Sequence, residues 1–248
     1  MLTIENTDVV GWEHAIRGMR NPLNSWAKSD SYYSSCDEQH LGDKSAIDRL
    51  GFYYIVGEND LNLMKRLRDS GTDHRKFMRM ITVYVDITGP LYWWKEFDTY
   101  KVGTVSDSCS TMHKIHSKEI TIEDFTFDDI DTERGDGIYY PEYYDENSSD
   151  YENTYHHMHF EDMYERIVMY CEMLRKMYLL TKDKQYWRAL IQILPESYIQ
   201  KRTVTLNYEV LANMYKSRKD HKLDEWHEFC DWIKTLPYSE LITGEERL

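Results

Sequence analysis

The spacing of hydrophobic and polar positions along the chain predicts many helices and two strands. The clearest helix covers residues 160–180, where apolar side chains recur every three or four positions. Residues 81–87 alternate apolar with other side chains, and 199–206 form a β-branched run, so both are predicted strands. Further helices are predicted at 12–18, 43–54, 60–70, 74–80, 91–97, 184–193, 209–218 and 224–235, with the rest of 1–45 irregular.

This order of elements predicts an α+β fold. A chain of 248 residues is long enough to bury a sizeable core in one large domain. Few strands among many helices are typical of this class. We therefore expect a single domain over residues 1–248.

The negative charge of the chain is concentrated in one segment. The formal net charge is −14, and residues 119–165 alone hold 16 acidic residues against one basic residue, Arg134. The rest is close to neutral, with 29 basic and 28 acidic residues. Residues 121–158 are also rich in Tyr and Asn, which predicts an exposed acidic insertion there. Polymeric DNA or RNA is not an expected partner, because an acidic chain repels a phosphate backbone.

The sequence predicts neither a membrane segment nor secretion. No run of about 18 apolar residues occurs, and the N-terminal residues show no basic region followed by an apolar run. The four cysteines are far apart and form no Cys-x-x-Cys pair, which favours reduced thiols over disulfides or a zinc site. We therefore expect a cytoplasmic protein.

Three groups of residues each allow a functional and a structural interpretation. The histidines at 156, 157 and 159 lie near Glu161, but their spacing fits no helical ligand pair, so no metal is predicted. The basic residues between 65 and 79 could line a phosphate site or form a solvated helix surface. Trp93 and Trp94 could stack on a ring ligand, although aromatic side chains on a helix more often belong to the core.

Residues 194–226 join a Leu-Pro pair, a Thr-rich run and an asparagine-initiated helix that ends in an arginine, with a tryptophan beyond it. In this order they resemble the C-terminal half of flavin-dependent thymidylate synthases. That family has Leu-Pro, a Thr-rich run, Asn-x-Arg-x-Leu-x-Asn-Phe-x-x-x-Arg and then Gln-Trp-Glu. The matching positions are Leu194, Pro195, Thr205, Asn207, Leu211, Asn213, Arg218 and Trp226.

Residues 90–112 resemble a second motif of the same family. There the family has a proline, an aromatic-rich helix, Arg-Gln, and then Arg-His-Arg-x-x-Ser-x-x-Glu-x-Ser-x-Arg. In this chain Lys95 and Glu96 replace Arg-Gln, and residues 99–101 read Thr-Tyr-Lys in place of Arg-His-Arg. The later serine, glutamate, serine and arginine are replaced by Thr104, Asp107, Cys109 and Thr111.

The resemblance implies roles for particular positions. The FAD-binding positions are Tyr100, Lys101, Asn207 and Asn213. The nucleotide-binding positions are Glu96, Asp107, Arg188 and Arg218, where Arg188 stands in for an arginine replaced by Ile191. The catalytic positions, aligned with the two serines, are Thr104 and Cys109.

Some of these positions also suit a structural role. Asn207 precedes a helix, and asparagine is a favoured N-cap. Cys109 has no evident charge partner, so an inert thiol is the usual alternative to a nucleophile. Glu209 lies where the family usually has an arginine, which reverses the charge at that position.

As a whole, the resemblance implies the fold of that family, a small mixed or antiparallel sheet flanked by helices. It also implies a homotetramer with FAD at the subunit junctions. It would methylate dUMP, or a related pyrimidine deoxynucleotide, with methylenetetrahydrofolate and NADPH. In such an enzyme the cofactors carry the chemistry, and the protein binds and orients. Because the Arg-His-Arg triplet is replaced, the alternative is a non-catalytic relative that acts as a nucleotide-binding or protein-interaction module. A third interpretation is the same scaffold with another substrate or cofactor.

Overall fold

The computed structural model describes residues 2–35, 52–127, 138–141, 155–158 and 160–245. It divides into two compact units. Unit 1 comprises Met1–Gly89, Trp93–Ser108 and Lys201–Leu248, and unit 2 comprises Pro90–Tyr92 and Cys109–Gln200. The single domain expected from the sequence stays a prediction.

Strands and helices alternate irregularly along the chain. The strands are β1 Thr3–Val10, β2 Tyr32–Ser35, β3 Phe52–Ile55, β4 Thr82–Pro90, β5 Val105–Ser108, β6 Ile138–Pro141, β7 Tyr155–Met158 and β8 Ile199–Asn207. The helices are α1 Trp12–Arg20, α2 Glu58–Asp69, α3 Leu91–Phe97, α4 Thr111–Lys114, α5 Phe160–Thr181, α6 Lys184–Ile193, α7 Tyr208–Arg218, α8 Asp224–Thr235 and α9 Glu240–Thr243. Short 3₁₀ helices cover Asn21–Leu23, Trp26–Lys28, Arg75–Met80 and Ile122–Asp124. None of the described helices combines the length and the apolar content needed to cross a membrane.

A four-stranded sheet in the order β1-β4-β8-β5 organises the chain. Strand β1 pairs with β4, and β5 pairs with β8, both antiparallel. Val83, Val85 and Ile87 of β4 are buried, as the alternation of its sequence predicts. The remaining strands form two separate pairs, β2 with β3 and β6 with β7. This α+β architecture, a small sheet flanked by helices, confirms the predicted fold class.

Five aromatic side chains form the centre of the core in unit 1. They are Trp93, Trp94 and Phe97 from α3, and Trp226 and Phe229 from α8. The ring of Trp93 lies 4.8 Å from that of Trp94 and 5.1 Å from that of Trp226. Since fully burying such a side chain stabilises the fold by about 1.5–3 kcal/mol, this contact fixes α3 against α8. The core interpretation of Trp93 and Trp94 is confirmed.

The core of unit 2 lies between α5 and α6. Cys171 and Leu190 are fully buried there and pack with Phe125 and Tyr198. Phe125 falls within the predicted acidic insertion, yet its side chain is only 5% exposed. The packed part of the chain therefore extends through the first residues of that segment. Most of 128–158 lies outside the described residues, so an insertion after residue 127 stays a prediction.

Several expected elements differ from the structure. Residues 1–45 are not irregular throughout, because they contain β1 and β2. The alternation of β1 is broken by a register shift between Glu5 and Asp8, with Asn6 at φ 52°, and this hides it from a period-two search. The end of the predicted helix 43–54 is β3, because pairing with β2 overrides its local spacing, and the earlier part lies outside the described residues.

Candidate functional site

A group of polar side chains in unit 1 surrounds the carboxylate of Glu96 on α3. The other members are Tyr100, in the turn after α3, Arg218, the last residue of α7, and His221 and Trp226 beyond it. We call these five residues the Glu96 cluster. Glu96, Tyr100 and Arg218 were each assigned to a ligand site by the resemblance, and the fold brings them together across as many as 122 positions of sequence.

Three donor groups face one oxygen of Glu96. Arg218 Nη1 donates to Oε2 at 2.7 Å, and Trp226 Nε1 donates to it at 2.9 Å. His221 Nε2 lies 3.4 Å from the same oxygen. Arg218 Nε donates to the hydroxyl of Tyr100 at 2.9 Å. The guanidinium and the carboxylate therefore form a charge-assisted pair, in which Tyr100 fixes the guanidinium and Trp226 fixes the carboxylate.

The guanidinium of Arg218 lies over two aromatic rings. Its central carbon is 4.7 Å from the ring centroid of Trp226 and 5.5 Å from that of Tyr100. Its side chain is only 17% exposed, whereas that of Glu96 is 35% exposed. Cation–π contact and low exposure fix the plane of the guanidinium. The cluster thus presents an oriented cation, which is a suitable contact for an anionic ligand.

Asn207 positions the N-terminus of α7, and with it the helix that carries Arg218. Its Oδ1 accepts from the backbone N–H of Val210 at 3.0 Å, and its Nδ2 donates to the carbonyl of Gly103 at 3.4 Å. Gly103 has φ 86°, and a Cβ there would lie 2.6 Å from Asn207 Nδ2, so a larger residue would strain the backbone and displace this amide. The N-cap interpretation of Asn207 is confirmed, and its role towards FAD stays a prediction.

A second ionic group surrounds Glu209, which is nearly buried on α7. Arg75 donates to Glu209 Oε1 through Nε and to Asn213 Oδ1 through Nη2, at 3.3 and 3.2 Å. Arg79 forms an ion pair with the same carboxylate. Two members of the basic run at 65–79 are therefore bound to an internal carboxylate. Neither interpretation drawn from the sequence included that arrangement, because the partner lies 134 positions away from Arg75.

Thr104, Lys101 and Asp107 are predicted site residues of unit 1 that belong to neither of these two groups. Thr104 donates its hydroxyl to the carbonyl of Tyr100, which closes the turn after α3. Lys101 in that turn is exposed, and Asp107 is exposed on β5 opposite Thr203. Their roles stay predictions.

Cys109 and Arg188 belong to unit 2. Both are exposed, Cys109 just beyond β5 and Arg188 on α6. The carbonyl of Cys109 accepts from Gln200 Nε2 at 2.6 Å, which involves the backbone and not the thiol. Burial raises the pKa of the other two described thiols, Cys171 and Cys230, to about 11, so both are protonated near neutral pH. The roles of Cys109 and Arg188 stay predictions.

Sequence reasoning assigned no role to His221 or Trp226. Trp226 matches the tryptophan of the family pattern, so that motif was a signal for it. His221 lies in the connection between α7 and α8 and matches no motif. Across the described residues, no three His, Cys, Asp or Glu side chains are arranged to hold a metal ion. The side chains near residues 156–161 lie outside that description.

Two clefts of unit 1 are lined by other residues. One of about 640 Å³ includes Arg20 and Asn59, and one of about 460 Å³ includes His74 and Phe77. In the first, Arg20 is already bound to the buried carboxylate of Asp60 at 2.5 Å. Neither lining includes the Glu96 cluster, and the larger one has a structural ion pair in its wall.

The chain is similar in structure to solved nucleotide-methylating enzymes. The sequence matches no protein-family model and no curated protein. Two structures of flavin-dependent thymidylate synthase ThyX from Helicobacter pylori with FAD and dUMP match with TM-scores of 0.59 and 0.60, 15% identity, and coverage of 98% of each chain. The UMP/dUMP methylase PolB from Streptomyces cacaoi, bound with 5-Br dUMP, matches with a TM-score of 0.54, 14% identity, and coverage of 98% of this chain and 95% of the other. At these identities the likeness shows the fold, which is that of ThyX.

Proposed function

We propose that the chain binds a pyrimidine deoxynucleotide in unit 1 and methylates it, with dUMP as the simplest substrate. The observation that carries this proposal is the Glu96 cluster, where an oriented arginine lies over two aromatic rings. Further support is the fold, because solved proteins that share it were crystallised with dUMP or with 5-Br dUMP. The fold by itself does not specify an activity.

Arg218 is the proposed contact for the nucleotide phosphate. A guanidinium matches phosphate geometry with paired N–H donors, and here its orientation is already fixed. Nε and Nη1 are engaged by Tyr100 and Glu96, while Nη2 donates to no residue within the described part of the chain. One face of the fork is thus available for an anion.

The residues predicted to bind FAD do not form a complete diphosphate site. Lys101 is the only cation among the four, and the amide of Asn207 already caps α7. Asn213 accepts from Arg75, and Tyr100 accepts from Arg218. A pyrophosphate needs cations or clustered N–H groups to offset its charge, so these residues do not fit FAD by themselves.

FAD would therefore need contacts beyond these four residues. The proposal includes methylenetetrahydrofolate as the one-carbon donor and NADPH as the source of reducing equivalents. It also includes a homotetramer, in which other subunits would supply further contacts. Exposed apolar side chains at Met169, Met173 and Leu180 on α5 support such assembly, since large exposed apolar patches usually mark interfaces.

Calorimetric titration of dUMP, with and without FAD, tests the proposal. Arg218→Ala should weaken binding roughly 10- to 100-fold, because a charge-assisted contact contributes about 1.5–3 kcal/mol. Arg202→Ala is a matched control, since Arg202 also pairs with an aspartate, at 2.7 Å, and stacks on a tryptophan, at 4.2 Å. The control should bind dUMP like the wild type.

Two results would count against the proposal. If wild-type binding exists but Arg218→Ala leaves it unchanged, the nucleotide site lies elsewhere. If the wild type binds no dUMP under either condition, the proposed function is wrong. A visible spectrum of the purified protein shows whether flavin is bound, and mass spectrometry of the nucleotide shows whether dTMP forms from dUMP with both co-substrates.

A second candidate function is a non-catalytic nucleotide-binding or protein-interaction module. It is favoured by the pairing of Arg218 with Glu96 and of Arg75 and Arg79 with Glu209, which neutralises cations that an anionic ligand would need. The expected results are dUMP binding without dTMP formation for a binding module, and neither for an interaction module.

A further inference from the structure

Glu96 holds the cation on which the proposed nucleotide site depends. Its Oε2 accepts from Arg218 Nη1 at 2.7 Å, and Trp226 Nε1 fixes the same oxygen at 2.9 Å. His221 Nε2, at 3.4 Å, lies on this oxygen as well. The other oxygen, Oε1, accepts from no described residue. The carboxylate is therefore anchored through one oxygen, and the guanidinium is paired with a negative charge.

A phosphate bound to Arg218 would lie close to the Glu96 carboxylate. Nη1 is bound to Glu96 and Nε to Tyr100, so Nη2 is the nitrogen that a phosphate would contact, on the same guanidinium as the carboxylate. Like charges separated by a few ångströms repel, and the repulsion is stronger in a partly buried site than in open solvent. The side chain of Arg218 is 17% exposed and that of Glu96 is 35% exposed, so the site is partly buried.

We propose that the Glu96 carboxylate selects against phosphate at Arg218, because its negative charge lies beside the guanidinium and repels an anion that binds to Nη2. This inference rests on the proposed function, because it takes Arg218 as the phosphate contact. Its consequence is selectivity. The site disfavours a ligand with a phosphate dianion relative to the same ligand without one, and Glu96 sets the size of that penalty.

Glu96→Gln removes the charge of this side chain and keeps its shape. The glutamine Oε1 can still accept from Arg218 and Trp226, while its amide adds a donor where the second carboxylate oxygen was. The variant removes one negative charge and retains the anchoring contacts. Asp98→Asn is the matched control. It also removes one negative charge, two positions along the chain from Glu96, but Asp98 pairs with Arg202, at 2.7 Å, and not with Arg218.

Three probes are titrated into the wild type and both variants: dUMP, 2′-deoxyuridine and inorganic phosphate. We expect Glu96→Gln to bind dUMP and inorganic phosphate about 10-fold more tightly than the wild type, because one like-charge repulsion is removed. The affinity for 2′-deoxyuridine should be the same in the wild type and Glu96→Gln. Asp98→Asn should match the wild type for every probe. Equal thermal melting temperatures would show that the variants are folded.

Each other outcome is informative. The inference is overturned if Glu96→Gln gains no affinity for phosphate-bearing probes, if 2′-deoxyuridine gains equally, or if Asp98→Asn gains as much. A gain for inorganic phosphate without binding of dUMP or 2′-deoxyuridine by any variant would support the role of Glu96 and contradict the proposed function. A higher affinity of Glu96→Gln for dUMP supports both the role of Glu96 and the proposed function.

Discussion

Two glutamates of unit 1 form ion pairs with three of its arginines. Glu96 binds Arg218, and Glu209 binds Arg75 and Arg79. Glu209 is the charge reversal noted in the sequence, and the structure shows why it is tolerated: two arginines from the 3₁₀ helix Arg75–Met80 offset its charge. A buried carboxylate without such partners would destabilise the fold.

Glu209→Gln should therefore destabilise the protein by about 2 kcal/mol, because two guanidinium groups lose their charged acceptor. The measurement is urea unfolding at neutral pH, followed by circular dichroism. Asp231→Asn is the control, since Asp231 pairs with Lys234 on an exposed helix surface, where such pairs contribute only about 0.5 kcal/mol. Equal losses in the two variants would contradict the structural role assigned to Glu209.

At the scale of elements, regular and locally determined segments were predictable. The bounds of α3, α6 and α8 agree with the sequence, because proline, aspartate or leucine-proline signals mark where they begin or end. Strand β5 was missed since its residues, Val-Ser-Asp-Ser, are all exposed and show no alternation. The Glu96 cluster was predicted only in part. The motif supplied Glu96, Tyr100 and Arg218, but their contacts join α3 and the turn after it to the end of α7, which is far away in sequence.

Glu172 on helix α5 makes the stability of the fold depend on pH. Hydrogen bonds from Arg175 lower the pKa of Glu172 from its ordinary 4.5 to about 2, with a further contribution from the backbone N–H of Ile120, while burial acts in the opposite direction. A carboxylate whose pKa is lower in the folded state stabilises the protein fully above about 4.5 and loses this contribution as the pH falls towards about 2.

The free energy of unfolding in urea, measured from pH 7 downwards, tests this contribution. Glu172→Gln should cost about 2–3 kcal/mol at pH 7 and should show a shallower decline in acid than the wild type. Glu165→Gln, at an exposed position of the same helix, should follow the wild type. Parallel pH profiles for the wild type and Glu172→Gln would show that Arg175 does not stabilise the charged form.

The proposed function includes the assembly of four copies of the whole chain. Met169, Met173 and Leu180 on α5 are 56%, 47% and 80% exposed, an apolar surface that composition alone did not reveal. We expect a homotetramer of about four times 29.9 kDa. Met173→Glu should lower the mass measured by light scattering, because a charge on this surface opposes its burial. Leu23→Glu, at a comparably exposed leucine of unit 1, should not.

A monomeric wild type at micromolar concentration would remove the shared-site part of the proposal. A tetramer that Met173→Glu leaves intact would place the interface elsewhere on the chain. Both results concern assembly, and neither decides whether Arg218 contacts a nucleotide.

The position of the dUMP phosphate in a crystal structure of Glu96→Gln would show directly whether Arg218 binds the nucleotide. Phosphate oxygens should lie roughly 3 Å from the guanidinium nitrogens of Arg218, a hydrogen-bonding distance. The side chain at position 96 should keep the 2.9 Å contact that Glu96 makes with Trp226 Nε1. A nucleotide bound with its phosphate on other residues would overturn the proposal.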